Sequence, residues 1–398
     1  MEAAAGTPHI DAWVAADGRG GVVVDGNPEQ VSGWKAEVTR AVIVARVTDI
    51  ANGLGRPVEL RTDDATTGPV TVLVHPDGAV EPVGDAPALP TVGDLLSARP
   101  EAPAVPATIG WRGRVTRLSG GRIPLPPSRA EAEHRDAVTR VQRPFGGPRT
   151  VVVINPKGGA QKTTATLLLA ATFGIHRGGS VLAWDNNETR GTLGWRAAHG
   201  PHAHTAVDLL GSLDRFGDDA LNRIGDLDRY VRPQVTTQFD VLASDEDAAA
   251  SSTIDAVAFR RLHATLSRFY RVIVVDTGNN MRASNWTAAI ESADQLVIVS
   301  TEREDTAASA AWLLDGLREK GQLDKVRQAV TVLAAPAKNR DTPLTERLHT
   351  HFRQLTRAVL DVPYDLALVG GGPLSFEALA PTTREAWLQV AATVADGL

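Results

Sequence analysis

Residues 150–173 read Thr-Val-Val-Val-Ile-Asn-Pro-Lys-Gly-Gly-Ala-Gln-Lys-Thr-Thr-Ala-Thr-Leu-Leu-Leu-Ala-Ala-Thr-Phe. Thr150–Ile154 is a β-branched run with strand character. Asn155-Pro156-Lys157-Gly158-Gly159 breaks it, and Lys162-Thr163-Thr164 opens an apolar helical stretch, Ala165–Phe173. Strand, glycine loop, Lys-Thr and helix, in that order, make a phosphate-binding loop. Backbone N–H groups of such a loop converge on an anion. The helix N-terminus adds partial positive charge. Lys162 supplies a point charge for the β- and γ-phosphates, and the Thr163 hydroxyl is a Mg²⁺ ligand candidate. The expected nucleotide contacts are Lys157, Gly158, Gly159, Ala160, Gln161, Lys162, Thr163 and Thr164. The bland alternative is a glycine-rich turn with incidental lysines; the flanking strand and helix argue against it.

Downstream, strands alternate with helices. The clearest strands are Thr150–Ile154, Ser180–Trp184, Phe239–Ala243, Val272–Val275, Gln295–Ser300 and Ala329–Ala334. They are continuous apolar runs, as expected when both faces of a parallel sheet are buried. Residues 150–398 therefore predict an α/β domain: a mostly parallel sheet covered by helices on both faces. Two strands end in aspartate. One runs into Asp185-Asn186-Asn187-Glu188, the other into Asp276-Thr277-Gly278. A carboxylate at the end of a buried strand, beside a phosphate loop, can hold a Mg²⁺-bound water. Asp276 and Asp185 join Thr163 as metal candidates, and the Gly278 backbone N–H is a candidate γ-phosphate sensor.

Upstream, residues 109–149 form a lead-in segment. Ser128 and Glu131 have capping-box spacing, predicting a helix from about Arg129 to Gln142. Residues 84–108 are rich in Pro, Ala and Gly and read as a linker. Residues 1–83 predict a small α/β interaction domain. Strand-like runs Ala12–Val14 and Gly21–Val24 flank a turn. A helix is expected over about 33–52, with Ser32 as N-cap, Gly53 as stop, and Trp34, Val38, Ala41, Val42 and Ala45 on its apolar face, widened by Ile43, Val47 and Ile50. Pro57–Leu60 and Val70–Val74 read as a strand pair.

The chain is 43% apolar and 22% charged, like an ordinary soluble protein. It has no cysteine, which excludes disulfides and thiolate chemistry. No apolar run is long enough to span a bilayer and no signal peptide is evident, so a cytoplasmic protein is expected. The net charge of −6 is unevenly spread. Residues 1–108 carry 7 basic and 15 acidic side chains, residues 109–150 carry 9 and 3, and residues 151–398 carry 25 and 29. The lead-in segment is thus a basic island. Arg112, Arg114, Arg117 and Arg122 suit phosphates of nucleic acid or anionic lipid. Interleaved Trp111 and Leu118 favour instead an amphipathic piece docked on the larger domain. His199, His202 and His204 read as a solvent-exposed loop rather than a metal site. The final stretch, 382–398, is apolar on one face without basic character, so a closing core helix is expected rather than a membrane-surface helix.

Lys157-Gly158-Gly159-Ala160-Gln161-Lys162-Thr163 resembles the loop of the ParA/MinD family of deviant Walker P-loop ATPases, whose pattern is KGGxGK[ST]. The resemblance implies ATP and Mg²⁺ as cofactors. It also implies a homodimer on ATP binding in which Lys157 reaches the partner's nucleotide. The family's Asp-x-Asp pair falls on Asp185 and Asn187, the second member positioning the attacking water. The implied catalytic set is Lys162, Asp185, Asn187 and Lys157. Two positions depart: Gln161 replaces a glycine, and Asn187 replaces an aspartate. The stretches GWRGRVTRLSGG, PSRAEAEHRDAV, NPKGGAQKTT, DNNETRGTLGWR and YRVIVVDTGNN are similar to a narrower group, the EspI-like ATPases associated with type VII secretion in actinobacteria.

The expected function is an ATP-dependent dimerising switch that positions or regulates a larger assembly in type VII secretion or DNA transfer. A protein partner through the N-terminal domain is expected, and recruitment to a membrane-associated complex. Gln161 and Asn187 motivate a first alternative, a non-hydrolysing nucleotide-binding scaffold. The basic island motivates a second, less favoured one, a DNA-binding partition ATPase.

Overall fold

The computed structural model describes residues 8–83, 91–92, 105–187, 191–198, 200, 202–216, 224–244 and 254–398. The chain divides into two units, Met1–Pro103 and Ala104–Leu398.

In the first unit, β1 (Ile10–Val14), β2 (Arg19–Val24), β3 (Asn27–Ser32), β4 (Val58–Asp64), β5 (Gly68–Val74) and β6 (Val80–Pro82) form one sheet in the order β3-β2-β1-β4-β5-β6. Only the β1–β4 pairing is parallel. The crossover is α1 (Ala36–Leu54), which buries Thr39, Ile43, Val47 and Ala51 on the sheet. This i, i+4 row is a different face from the one centred on Val38 and Val42. Val42 is exposed, and Trp34 lies outside the helix, exposed, with the Lys35 ammonium over its ring. The helix starts after Lys35 rather than Ser32 and stops at Gly55 rather than Gly53. Gly55 closes it at φ 63°, the left-handed geometry that glycine adopts without penalty. Asp64 is buried against Arg40, with bonds of 2.5 and 3.0 Å, and this guanidinium holds its carboxyl well below the usual range.

In the second unit, β7 (Arg149–Ile154), β8 (Val181–Asn186), β9 (Arg232–Gln234), β10 (Phe239–Leu242), β11 (Val272–Thr277), β12 (Gln295–Thr301), β13 (Val330–Ala334) and β14 (Ala358–Val362) form a sheet in the order β14-β13-β12-β7-β11-β8-β10-β9. All pairings are parallel except the β9–β10 edge. Strand alternation divides the buried residues between two layers. Val152 and Ile154 join one core, Val151 and Val153 the other. This explains the continuous apolar runs.

Helices α2 (Gly110–Leu118) and α3 (Arg129–Gln142) precede the sheet, and α4 (Lys162–Arg177) follows β7. The short α5 (Leu193–Arg196) follows β8, and α6 (Ala206–Phe216), α7 (Ala256–Leu266), α8 (Ser284–Ser292), α9 (Glu304–Glu319), α10 (Leu323–Gln328) and α11 (Thr342–Arg353) lie further along, with α12 (Pro381–Ala395) closing the unit. Residues of α3, α4 and α12 build one core; those of α6 to α11 build the other. Helix α3 spans the expected residues, and the Ser128 side chain accepts from Glu131 N. Helix α12 buries Trp387, Leu388 and Val390, as a closing core helix should. Ion pairs His134–Glu385 and Arg140–Asp396 join it to α3. The structure corrects the docked reading of the basic segment: Trp111 is 67% and Leu118 88% exposed, so the apolar side of α2 is not buried on the domain.

Candidate nucleotide site

The parallel strand order places the C-terminal ends of β7, β8 and β11 side by side, and the loops leaving them meet. Asn155, buried at the end of β7, sets the loop's course. Its Nδ2 donates to the carbonyls of Val299 (2.8 Å) and Thr306 (3.1 Å), and its Oδ1 accepts from Lys157 N (2.9 Å). Gly159 (φ 78°) and Gln161 (φ 73°, ψ 22°) take left-handed conformations, and Gln161 is the N-cap of α4. Left-handed backbone costs a side-chain-bearing residue about 1–2 kcal/mol. Gln161→Gly relieves that strain but adds unfolded-state entropy of about 0.5–1 kcal/mol. The variant is expected to be more stable by about 0.5–1 kcal/mol, a rise of roughly 1–3 °C in Tm. A lower Tm would show that the Gln161 side chain makes up for its backbone.

An open cleft of about 500 Å³ lies over the loop. Gly158, Gly159, Ala160, Gln161, Lys162, Thr163, Thr164, Asn187 and Asp276 all line it. Lys162 Nζ donates to Asn279 Oδ1 (2.7 Å) and to the Lys157 carbonyl (3.4 Å). Burial lowers its pKa, against the pull of Asp276. Thr163 Oγ1 donates to Asp276 Oδ2 (2.6 Å), while the buried Asp276 Oδ1 takes no hydrogen bond. A hydroxyl beside a carboxylate with a spare oxygen is a hard donor set that fits Mg²⁺.

Asp185 stands opposite Asp276 in the β8–β11 register, fully buried beneath the cleft. It accepts from Leu193 N (3.2 Å) and Asn187 N (3.3 Å). Burial first, then mutual repulsion, raises the pKa of Asp185; burial raises that of Asp276. A Cβ on Gly191 would lie 2.0 Å from Asp185 Oδ2, so glycine is required there.

Three expected site residues lie off the cleft wall. Asp185 is beneath it. Gly278 is buried, while its neighbours Thr277 and Asn279 line the wall. The Lys157 ammonium faces Asp305 Oδ2 at 4.0 Å, at the start of α9. Glu188 and His199 fall outside the described residues. His202 donates to the carbonyls of Asp228 and Val231 and His204 to that of Arg229, and no metal-binding cluster occurs among the described residues.

The sequence reading missed Arg196. It lines the cleft, and its Nη1 donates to Thr164 Oγ1 (2.5 Å). Its Nε is buried without a partner, and burial lowers its pKa. It closes the stretch 185–196, but nothing in that stretch indicates that its side chain turns back to the phosphate loop. Also missed was a smaller cavity of about 220 Å³ that shares Gln161 and Thr164 with the cleft. Ala335, Pro336, Pro363, Tyr364 and Trp387 give it a largely apolar wall.

Sheet order, loop and paired strand-end carboxylates together define a P-loop NTPase fold of the ParA/MinD kind. The ParA family ATPase of Chlorobium tepidum TLS is similar in structure, with a TM-score of 0.52 and 19% identity, covering 62% of this chain and 98% of that one. In sequence the chain is similar to the ESX-1 secretion-associated protein EspI of two Mycobacterium tuberculosis strains, H37Rv and CDC 1551 / Oshkosh. Each is 27% identical over 289 residues, 72% of this chain and 42% of the relative. The chain thus spans less than half the length of the curated relatives it matches. No protein-family model matches it. No helix among the described residues is long and apolar enough to cross a membrane.

Proposed function

We propose that this chain binds ATP with Mg²⁺ and works as a nucleotide-dependent dimerising switch that positions or regulates a larger assembly. The observation that carries the reading is the convergence of Lys162, Thr163 and Asp276 on one cleft, with Lys157 off its wall and its ammonium 4.0 Å from Asp305. Lys162, Arg196 and the α4 N-terminus meet the phosphates. Thr163 and Asp276 hold Mg²⁺, which neutralises phosphate charge when bound. Asp185 acts from beneath through the β8 loop. The apolar cavity beyond Gln161 and Thr164 takes the base. The likeness to a secretion-associated relative favours a type VII secretion machine as the assembly, with the protein cytoplasmic and recruited to it. The N-terminal unit is the proposed docking element for a protein partner. In sedimentation, ATP with Mg²⁺ is expected to shift the chain from monomer to dimer. Nucleotide binding without that shift would sink the switch reading.

A second reading, a scaffold that binds nucleotide without hydrolysing it, is favoured by Asn187 and the strained Gln161. Asn187 lines the cleft, but its amide cannot take a proton from water. General-base assistance contributes about 10²–10⁴-fold. Asn187→Asp is therefore expected to raise turnover at least about tenfold. An unchanged rate would show that this position does not limit the chemistry.

A further inference from the structure

The basic segment before the P-loop is a feature that nucleotide chemistry leaves unexplained. Residues 102–130 contain no Asp or Glu and five arginines. The segment's ends are fixed. Ala107 N donates to the Leu125 carbonyl (2.8 Å), and Thr108 N and Oγ1 donate to buried Glu131 at 2.7 and 2.8 Å. Within α2, Gly113 faces inward; a Cβ there would lie 2.3 Å from the Thr108 backbone. Helical spacing then puts Trp111, Val115 and Leu118 together on the outer side, with Arg114 beside them and Arg117 nearer the Gly113 side, exposed. Trp111 and Leu118 are exposed, as are Ile109 and Ile123 at the segment's two ends. Arg114, Arg117 and Arg122 are exposed and form no ion pair among the described residues. Arg112 is held differently, donating to the carbonyls of Pro126 and Pro127 at 3.3 Å.

We propose that this pinned loop and helix, residues 109–123, is a binding surface for an anionic lipid bilayer. Trp111, Leu118, Ile109 and Ile123 enter the headgroup boundary, and Arg114, Arg117 and Arg122 meet the lipid phosphates. Apolar stripe, bordering arginines and absence of carboxylates are the composition of an interfacial helix. A tryptophan suits the headgroup level. Duplex DNA would use the arginines but gives no role to four large apolar side chains standing in solvent. That is why the bilayer is the occupant the surface fits. Binding through so short a helix is weak alone, so it suits reversible recruitment of a protein that dimerises.

The test is flotation of the full-length chain with vesicles, in parallel with duplex DNA binding. Flotation is expected with equimolar phosphatidylcholine and phosphatidylglycerol, to be absent with phosphatidylcholine alone, and to fall as salt rises. Each arginine near an anionic surface contributes about fivefold. Replacing Arg114, Arg117 and Arg122 together by glutamine is expected to lose about a hundredfold. Trp111→Ala with Leu118→Ala is expected to lose about tenfold or more. All these positions are exposed, so unchanged thermal melting shows that the variants are folded. No flotation of the wild-type chain at low salt would overturn the proposal. So would vesicle binding indifferent to both variants. DNA binding that needs the arginines but not Trp111 and Leu118, without vesicle binding, would make the surface a nucleic-acid site instead.

Discussion

Lys162→Ala is expected to lower ATP affinity by about a hundredfold or more and to abolish any turnover, as read by calorimetry and phosphate release. Removing one preorganised donor from a water-poor site costs about 2.7–4 kcal/mol. On the proposed reading Lys162 becomes such a donor once nucleotide fills the cleft. Its ammonium is partly buried, and Asn279 Oδ1 and the Lys157 carbonyl hold it over the loop. A phosphate oxygen can take the place of either partner without moving the backbone. The same burial makes the charged lysine a cost to the empty protein. The alanine variant should therefore melt, without nucleotide, at or slightly above the wild-type temperature. A loss of affinity with retained stability separates a binding role from a structural one. Unchanged affinity would remove the phosphate-site reading altogether.

The sequence carried the local parts of this site well. A strand, a glycine loop and Lys-Thr are contiguous, and their order alone predicts the strand, turn and helix that the structure shows. Gln161 was legible too, because a left-handed residue at the loop's end is a demand of the backbone; the structure places it at φ 73°. What sequence could not supply was contact between distant segments. Arg196 reaches Thr164 only because α5 folds back from β8. Asp305 meets Lys157 across 148 positions of chain, through the start of α9. Short edge elements were missed for another reason. Strand β9 contains Pro233 and has only three residues, too few to show a period. On α1, several apolar residues compete for the buried face. The sheet selected Ile43 and Val47, leaving Val42 in solvent. The same ambiguity misplaced Trp111 and Leu118, whose apolar character reads as core until packing shows them uncovered.

Lys157→Ala is expected to abolish the ATP-dependent dimer while leaving ATP affinity within about threefold, since this lysine does not line its own cleft. Lys162→Ala, by contrast, should lose both. The distinction follows from geometry. The Lys157 ammonium is half exposed, stands 4.0 Å from Asp305 and does not line the cleft that Lys162 and Asp276 line. A charge at the cleft's rim, held by a solvent-exposed carboxylate, can leave for a stronger anion at small cost. Exposed ion pairs of this kind contribute about 0–1 kcal/mol. A nucleotide triphosphate on a second copy offers several negative oxygens in a desolvated interface, where charge pairing is worth more. On the proposed reading, Asp305 competes weakly with the partner's nucleotide for Lys157. Removing it by Asp305→Ala should raise the dimer's association constant, by no more than about fivefold. Opposite signs from the two ends of one ion pair, read by sedimentation at equal ATP, would tie dimerisation to the lysine itself. A Lys157→Ala chain that still dimerises with ATP would show that the interface is built without it.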